Sequence, residues 1–269
     1  PYGHSDNDGS FSSGYAMGEI FRYATLKREK GDYAEETLRA REVALRASEA
    51  NLLLMYIAGR GNGFVARTYL TSSEPVPDDG LFYKKNGATA GCLNTTDARN
   101  KNIVGLEVKA DAPIPDRLRK FYADEGYEDT DITYKGDTSS DEVTAHFMQM
   151  LFAHMFLADV DPELDELIKQ TATALMTHII DGGYQLTECD GKPTTWAKWN
   201  EDYFNSAMVE EAESFVRAAS AEQNDIAKHG EQAVELFERI IQADAKGMKK
   251  FDLIDGYERV LDYCRYTGL

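Results

Sequence analysis

The chain contains 269 residues, of which 42% are hydrophobic and 28% are charged, a composition typical of a globular protein. Its 47 acidic residues outnumber its 29 basic residues, so the formal net charge is −18. This charge repels phosphate groups and argues against nucleic acid or an anionic membrane as a partner. No apolar run approaches the roughly 20 residues of a membrane span, so we expect no transmembrane helix.

The first part of the chain predicts two antiparallel helices. Residues 12–30 carry apolar side chains at helical spacing, and the pair Gly31-Asp32 ends this helix. Asp32 followed by Glu35 fits a capping box for a second helix, which runs to about Ala58 before a glycine-rich stop. An αα-hairpin is therefore the first predicted unit.

The middle of the chain predicts little regular structure. Residues 63–115 are rich in Gly, Asn, Asp and Pro, which indicates a long irregular loop with one short strand over residues 64–70. Residues 116–125 predict a short helix. A loop of this length inside a compact domain is usually functional or partly disordered, and both alternatives stay open at this point.

A second helical hairpin follows. Residues 140–158 form its first helix, and Asp161-Pro162 supplies an N-cap and a favoured first residue for its second helix, which runs to Ile180. Residues 184–196 predict a β-hairpin that turns at Asp190-Gly191. The fold class is therefore mainly α, built from antiparallel αα-hairpins with one small β-hairpin.

We predict a main domain over residues 1–205 and a polar helical extension over residues 206–269 that packs on it. Cys92, Cys189 and Cys264 are widely spaced and form no C-x-x-C motif, which excludes a thiolate zinc site and leaves a single disulfide open. The chain starts at Pro1 without a Met, and a glycosylation sequon begins at Asn94. Both features favour an extracellular protein with a processed N-terminus.

The hairpin topology places four polar segments at one end of the molecule. If the first helix of each pair points away from that end, the second helix returns to it. Residues 2–9, 59–70, 134–142 and 184–200 would then lie together. Helix N-termini add positive character there, which favours carboxylates or an anionic ligand.

These segments carry carboxylates, cations and aromatic rings, the groups that carbohydrate chemistry uses. The candidate residues are His4, Asp6, Asp8, Arg67, Tyr69, Lys135, Asp137, Asp141, Glu142, His146, Trp196 and Trp199. In a glycoside hydrolase, one carboxyl group protonates the glycosidic oxygen and a second activates water or attacks the sugar. A uronate lyase would instead need a base such as His146 or Tyr69 and a neutralising cation.

Each candidate also has a purely structural interpretation. Residues 134–147 fit two overlapping capping boxes, and His146 within an apolar helix is typical of a buried core histidine. Trp196 and Trp199 also fit lids over the core beneath the β-hairpin. Both interpretations stay open at this point.

A calcium site is the one metal site that the sequence suggests. Asp6-x-Asp8-Gly9 resembles the start of a calcium loop, while residues 10–17 lack the later acidic ligands. We therefore treat Ca²⁺ as an optional ligand of Asp6 and Asp8, and no cofactor is required. Nucleotide, zinc-protease and serine-hydrolase motifs do not occur in the sequence.

Four motifs carry a family resemblance over residues 2–205, with a gap across residues 71–130. They are HSDNDGSFSSGYAMGEIFRYA, GFVARTYL, YKGDTSSDEVTAHF and THIIDGGYQLTECDGKPTTWAKWN. Together they are similar to motifs of uncharacterised secreted proteins with an (α/α)-toroid fold, which resemble six-hairpin glycosidases and toroidal polysaccharide lyases. The resemblance implies a partial or complete toroid that acts on carbohydrate.

Mapped onto this chain, the resemblance implies a polar site that includes Asp6, Asp8, Arg67, Lys135, Asp137, Asp141 and Trp196. The first hypothesis is a secreted glycoside hydrolase in which Asp137 or Asp141 is the general acid and Asp6 or Asp8 is its partner. The second is a non-catalytic structural or glycan-binding protein, with self-association of the chain, because the chain is short for a full toroid. A uronate lyase is third.

Overall fold

The computed structural model describes residues 7–61, 63–94, 104–182 and 185–198, and about half of this part is helical. It contains five α-helices and two antiparallel sheets. The helices are α1 (Asp8–Lys30), α2 (Glu35–Tyr56), α3 (Asp116–Ala123), α4 (Ser140–Leu157) and α5 (Pro162–Asp181). The strands are β1 (Tyr69–Leu70), β2 (Phe82–Asn86), β3 (Thr89–Asn94), β4 (Glu107–Lys109), β5 (Thr133–Lys135), β6 (Gln185–Thr187) and β7 (Pro193–Lys198).

The first predicted helix pair is confirmed, with one correction at its turn. Helix α1 ends where Gly31 adopts a φ of 85°, a conformation that favours glycine. The predicted capping box at Asp32 is wrong. Helix α2 begins at Glu35 after Ala34, without a side-chain cap, and the Asp32 carboxylate pairs with Lys27 instead.

The prediction of an irregular loop over residues 63–115 is wrong, because the chain forms most of a five-stranded sheet there. The strand order is β1-β5-β2-β3-β4 and every pair is antiparallel. Strands β2 and β3 form a hairpin with the two-residue turn Gly87-Ala88, where Gly87 has a φ of 62°. The sheet is therefore larger than the single predicted hairpin. The predicted short helix is confirmed as α3.

The second helix pair and the small β-hairpin are confirmed. The Asp161 carboxylate accepts the Leu164 N–H at 3.0 Å, as expected for an N-cap. Strands β6 and β7 pair in an antiparallel manner, and Gly191 in their turn has a φ of 83°.

Helices and sheet share one hydrophobic core. Helix α1 packs against both α2 and α4, and α4 also packs against α5. Ile20, Leu52, Tyr83, Val143 and Leu175, which come from all of these layers, are buried in the same cluster. This arrangement positions the helix ends and the strand ends that carry the candidate residues.

The coarse fold class is therefore mainly α with a small antiparallel sheet. No helix in the described ranges is both long enough and apolar enough to span a bilayer. The predicted extension over residues 206–269 lies outside the described residues.

Candidate functional site

The described parts of the four polar segments lie together, as the hairpin topology predicts. Hydrogen bonds join the start of α1, the chain before β1, the chain before α4 and strand β7. They run from Gly9 N–H to Glu142 Oε1 (3.2 Å), from Lys135 N–H to the Thr68 carbonyl (3.1 Å) and from Thr194 Oγ1 to the Thr138 carbonyl (3.0 Å). The described segments that carry the candidate residues therefore lie together at one end of the helical layer.

At the centre of this end, one guanidinium faces two carboxyl groups. Arg67 Nε lies 3.5 Å from Asp137 Oδ2 and 3.2 Å from Glu142 Oε2. The side chains of Arg67 and Glu142 are 8% and 2% exposed, while that of Asp137 keeps 16%. We call these three residues the Arg67 cluster. Ser139 Oγ also donates a hydrogen bond to Glu142 Oε2 at 3.1 Å.

Glu142 is the carboxyl group most affected by this environment. Burial raises the pKa of Glu142 to about 8, although the positive charge of Arg67 and the hydrogen bonds from Ser139 and Gly9 act in the opposite direction. The negative charge of Asp141 raises it further. Most Glu142 side chains therefore carry a proton at neutral pH.

His146 lies one helical turn after Glu142 and is completely buried. Its Nδ1 is 3.3 Å from Ser13 Oγ on α1. Burial lowers the pKa of His146 to about 3, so the imidazole is neutral under ordinary conditions. This neutral ring and the Glu142 carboxyl both lie against Gly9.

Two predicted acids lie at the edge of the cluster. Asp8 is the first residue of α1 and is half-buried, next in the chain to Gly9. Asp141 is exposed in the first turn of α4. The general-acid role of Asp137 or Asp141 stays a prediction, and Glu142 is the acid of this group whose carboxyl is removed from water.

Tyr69 and Lys135 are two further predicted residues, and both are at least partly buried. Burial raises the pKa of Tyr69, and the negative charges of Glu125 and Glu74 raise it further. Lys135 is buried, with its ammonium 3.2 Å from the Asp79 carbonyl and 5.6 Å from the centroid of a phenylalanine ring in β2. The substrate-binding roles predicted for both residues stay predictions.

The remaining predicted residues are not all described. Trp196 belongs to β7, while His4, Asp6 and Trp199 lie outside the described residues. Within the ranges that the structure describes, no group of three or more potential ligands is arranged to hold a metal ion. The calcium site at Asp6 and Asp8 stays a prediction, because half of it falls outside those ranges.

A second feature, which sequence reasoning missed, is an open groove between α1, α2 and α3 with a volume of about 610 Å³. Its lining consists of Phe11, Ser12, Tyr15, Val43, Arg46, Ala47, Ala50 and Phe121. Phe11 and Tyr15 are 67% and 59% exposed, and the Arg46 guanidinium lies 5.3 Å from the centroid of the Phe121 ring. We call this feature the aromatic groove. The spacing of Phe11 and Tyr15, one helical turn apart, was the available signal.

No family model, no curated protein and no solved structure matches this chain. The described residues define a helical-hairpin protein with a buried arginine–dicarboxyl cluster and an aromatic groove. Any function must be argued from that geometry.

Proposed function

We propose that the protein is carbohydrate-active, and specifically that it is a glycoside hydrolase whose acid–base centre is the Arg67 cluster. The observation that carries the proposal is the different solvation of two carboxyl groups on one guanidinium. Glu142 is buried with a pKa of about 8, whereas Asp137 keeps partial access to solvent. Pairs of acids with separated environments are typical of glycosidase sites.

The role of each carboxyl group in this proposal follows from whether it holds a proton. Glu142 is the general acid, because it is protonated at neutral pH and can donate to a leaving oxygen. Asp137 supplies the second carboxylate, which activates water or attacks the anomeric carbon. Arg67 holds both side chains in position and limits the rise in the pKa of Glu142.

The aromatic groove supports the choice of carbohydrate as the substrate class. Flat exposed rings such as Phe11 and Tyr15 pack well against the apolar faces of sugars. Helix α1 contributes to both features, because Gly9 donates to Glu142 and Phe11 lines the groove. A volume of about 610 Å³ is in the range of small-ligand sites.

We extend the proposal to the architecture and the location of the protein. Two antiparallel helix pairs with their polar segments at one end are consistent with part of an (α/α) toroid. Secretion and an accessory Ca²⁺ at Asp6 and Asp8 belong to the same proposal, as does carbohydrate as the main partner.

The second candidate is a non-catalytic glycan-binding protein on the same scaffold. It is favoured by one observation, which is that Arg67 Nε lies within 3.5 Å of an oxygen of both carboxyl groups. Such an arrangement also serves as an internal brace, with the aromatic groove as the binding surface. The lyase has the least support, because burial lowers the pKa of His146 to about 3 and raises the pKa of Tyr69, so the first is a weak base and the second is hard to deprotonate.

The test is a panel of neutral and acidic polysaccharides, assayed for new reducing ends and for the absorbance of unsaturated uronates. New reducing ends without that absorbance support hydrolysis. Glu142→Gln and Asp137→Asn should then each lower kcat by about 10²-fold or more. The matched control is Asp116→Asn, whose carboxylate is 98% exposed and distant in sequence, and which should keep full activity.

The other outcomes separate the candidates. Binding of a polysaccharide that depends on Phe11 and Tyr15, without turnover, would favour the glycan-binding protein. Unsaturated products would favour the lyase despite the burial of its bases. If the protein neither binds nor cleaves any polysaccharide of the panel, the carbohydrate proposal as a whole is contradicted.

A further inference from the structure

Helix α4 is apolar on its outward side as well as on its core side. Val143 and Met150, seven residues apart, are completely buried and define the core side. Because successive residues of a helix are rotated by about 100°, the opposite side carries Ala145, Met148 and Met155. All three are partly buried. We call them the outer side of α4.

The absence of exposed polar residues along α4 indicates that another element covers this side. No residue between Asp141 and Asp159 is exposed, whereas α5 presents Glu163, Glu166 and Gln170 to solvent. A helix that is apolar on all sides is typical of a buried helix. Within the described ranges, the main neighbours of α4 are α1, α2, α5 and β7, and we expect a further neighbour on the outer side.

The position at which the chain leaves β7 limits what this neighbour is. Thr194 Oγ1 in β7 donates to the Thr138 carbonyl at 3.0 Å, just before α4 begins at Ser140. The chain that follows Lys198 therefore starts beside the first turn of α4. Residues 199–207, fully extended, span about 30 Å, which is similar to the length of α4. The segment that comes next can reach the whole outer side.

The sequence of that next segment, residues 208–219, matches the outer side. Met208, Ala212, Phe215 and Ala219 recur at intervals of four and three residues, which predicts a helix with one apolar side. Glu210, Glu213 and Arg217 fall on its opposite side, where water solvates them.

The sizes of the side chains also match. Met208 and Phe215 are seven residues apart, as are Met148 and Met155 on α4. Small alanines lie between the large residues of the segment, so the side chains of two such helices can interdigitate.

Charge argues against a second copy of the chain as the neighbour. In a two-fold antiparallel pairing of α4 with its copy, Asp141 of each chain would face Asp159 of the other. The two chains would also each carry a formal net charge of −18. Like charges at both ends of the contact disfavour this pairing. The segment 208–219 presents only apolar residues to the outer side.

We propose that residues 208–219 of this chain form a helix that docks on the outer side of α4. The docked helix excludes water from Met148 and Met155. It also supports the helix whose first turn carries Asp141 and Glu142. The docking does not depend on the proposed function.

The first experiment locates the neighbour by photo-crosslinking in the full chain. A benzoylphenylalanine in place of Met155 should, after irradiation, attach to peptides that contain residues 208–219, as identified by mass spectrometry. The same probe in place of Tyr33, a residue 91% exposed between α1 and α2, is the control and should not attach there. Mixing ¹⁵N-labelled and unlabelled chains distinguishes adducts within one chain from adducts between two.

The outcomes of the crosslinking separate the possible neighbours. Adducts within one chain to residues 208–219 support the proposal. Adducts between two chains would identify a second copy and overturn it. Adducts only to later parts of the chain, or no adduct in the segment, would overturn it as well.

The second experiment measures how well the outer side is protected, using oxidation of methionine by hydrogen peroxide. In Phe215→Asp, a charge on the apolar side of the segment should weaken docking. The rates of oxidation of Met148 and Met155 should then rise by about fivefold or more. Ser214→Asp adds the same charge away from the apolar side and is the matched control, which should leave both rates unchanged.

Met150, which is completely buried on the core side, reports whether each variant stays folded. Equal oxidation of Met148 and Met155 in the two variants, with Met150 protected, would overturn the proposal. If Phe215→Asp also exposes Met150, the crosslinking experiment decides, because it leaves the segment unchanged.

Discussion

Two arginines in this protein each contact two carboxyl groups, with opposite consequences. Arg67 is 8% exposed and faces Asp137 and Glu142. Arg117 is 25% exposed and contacts Glu49 and both carboxylate oxygens of Asp161, one of them at 2.9 Å. We call Arg117, Glu49 and Asp161 the Arg117 cluster. Burial raises the pKa of Glu142 to about 8, whereas the hydrogen bond from Arg117 lowers the pKa of Asp161.

This comparison shows that burial and hydrogen-bond geometry, and not the number of charges, decide whether the pKa of a carboxyl group beside an arginine is raised or lowered. In the Arg117 cluster, two-point contact and the capping bond from Leu164 N–H favour the ionised carboxylate. In the Arg67 cluster, the cost of burying a charge exceeds the attraction of Arg67, so Glu142 retains a proton. The Arg117 cluster therefore holds ionised carboxylates, whereas the Arg67 cluster contains a carboxyl group that keeps its proton.

The largest expected effect concerns the proton of the Glu142 carboxyl group and the pH dependence of the free energy of unfolding. The folded protein holds this proton between pH 4.5 and about 8, a range in which the unfolded chain releases it. The free energy of unfolding should therefore fall as pH rises through this window, by up to about 5 kcal/mol. Glu142→Gln removes the group and should flatten the slope, as measured by urea unfolding at several pH values. Parallel curves for the two proteins would show that Glu142 does not titrate abnormally.

A smaller effect is expected from the close contact that joins α1 to the cluster. In Gly9→Ala the new methyl group would lie 2.8 Å from His146 Nε2 and 3.1 Å from Glu142 Oε1. We expect a loss of about 1–3 kcal/mol in thermal or urea unfolding. Gly14→Ala on the same helix is the matched control, because nothing lies within 4 Å of its added methyl group. It should instead gain about 0.5–1 kcal/mol.

The stabilisation that the Arg117 cluster contributes should decrease at acid pH. Arg117 lowers the pKa of Asp161 below its ordinary value of 3.8, so the stabilisation is present above pH 3.8 and is lost as pH falls through the lowered value. Asp161→Asn should cost about 2 kcal/mol near pH 7, and its difference from the native protein should shrink in acid. Asp116→Asn, at a side chain that is 98% exposed, should show neither effect.

The smallest effect on stability is expected in the aromatic groove. Phe11→Ala truncates a side chain that is 67% exposed, so the free energy of unfolding should change by less than about 0.5 kcal/mol. Its binding to any polysaccharide identified in the panel should nevertheless weaken by about tenfold. Tyr33→Ala, at a residue 91% exposed and outside the groove, is the control for loss of a surface ring. Equal binding by both variants would exclude the groove as a sugar site.

The helix pairs could be predicted from the sequence because their signals are local. Apolar residues at helical spacing and the Asp161-Pro162 start describe contacts between residues that are close in the chain. The five-stranded sheet was missed because its strands are only two to six residues long. In so short a strand, the turn residues on either side dominate the composition. The dipeptide Asn86-Gly87 was the one strong hairpin signal in that region.

The site was predicted in part for a similar reason. The segments that meet were predictable, because helix order and direction decide which ends are neighbours. The special role of Glu142 was not predictable, since Asp137, Asp141 and Glu142 lie in one short stretch and differ mainly in burial. Ser13, which contacts His146, was missed because a single polar residue within a helix carries no pattern of its own.

The sequence by itself determined the helical pairs, the acidic surface and the gathering of polar segments at one end. These properties follow from periodicity, charge and chain direction, which do not require knowledge of distant contacts. The tertiary structure alone decided which carboxyl group is buried and which polar side chains of the helices pair with one another. Both depend on solvent exclusion and on hydrogen bonds between residues about 100 or more positions apart, such as Gly9 with Glu142 and Asn51 with Gln149.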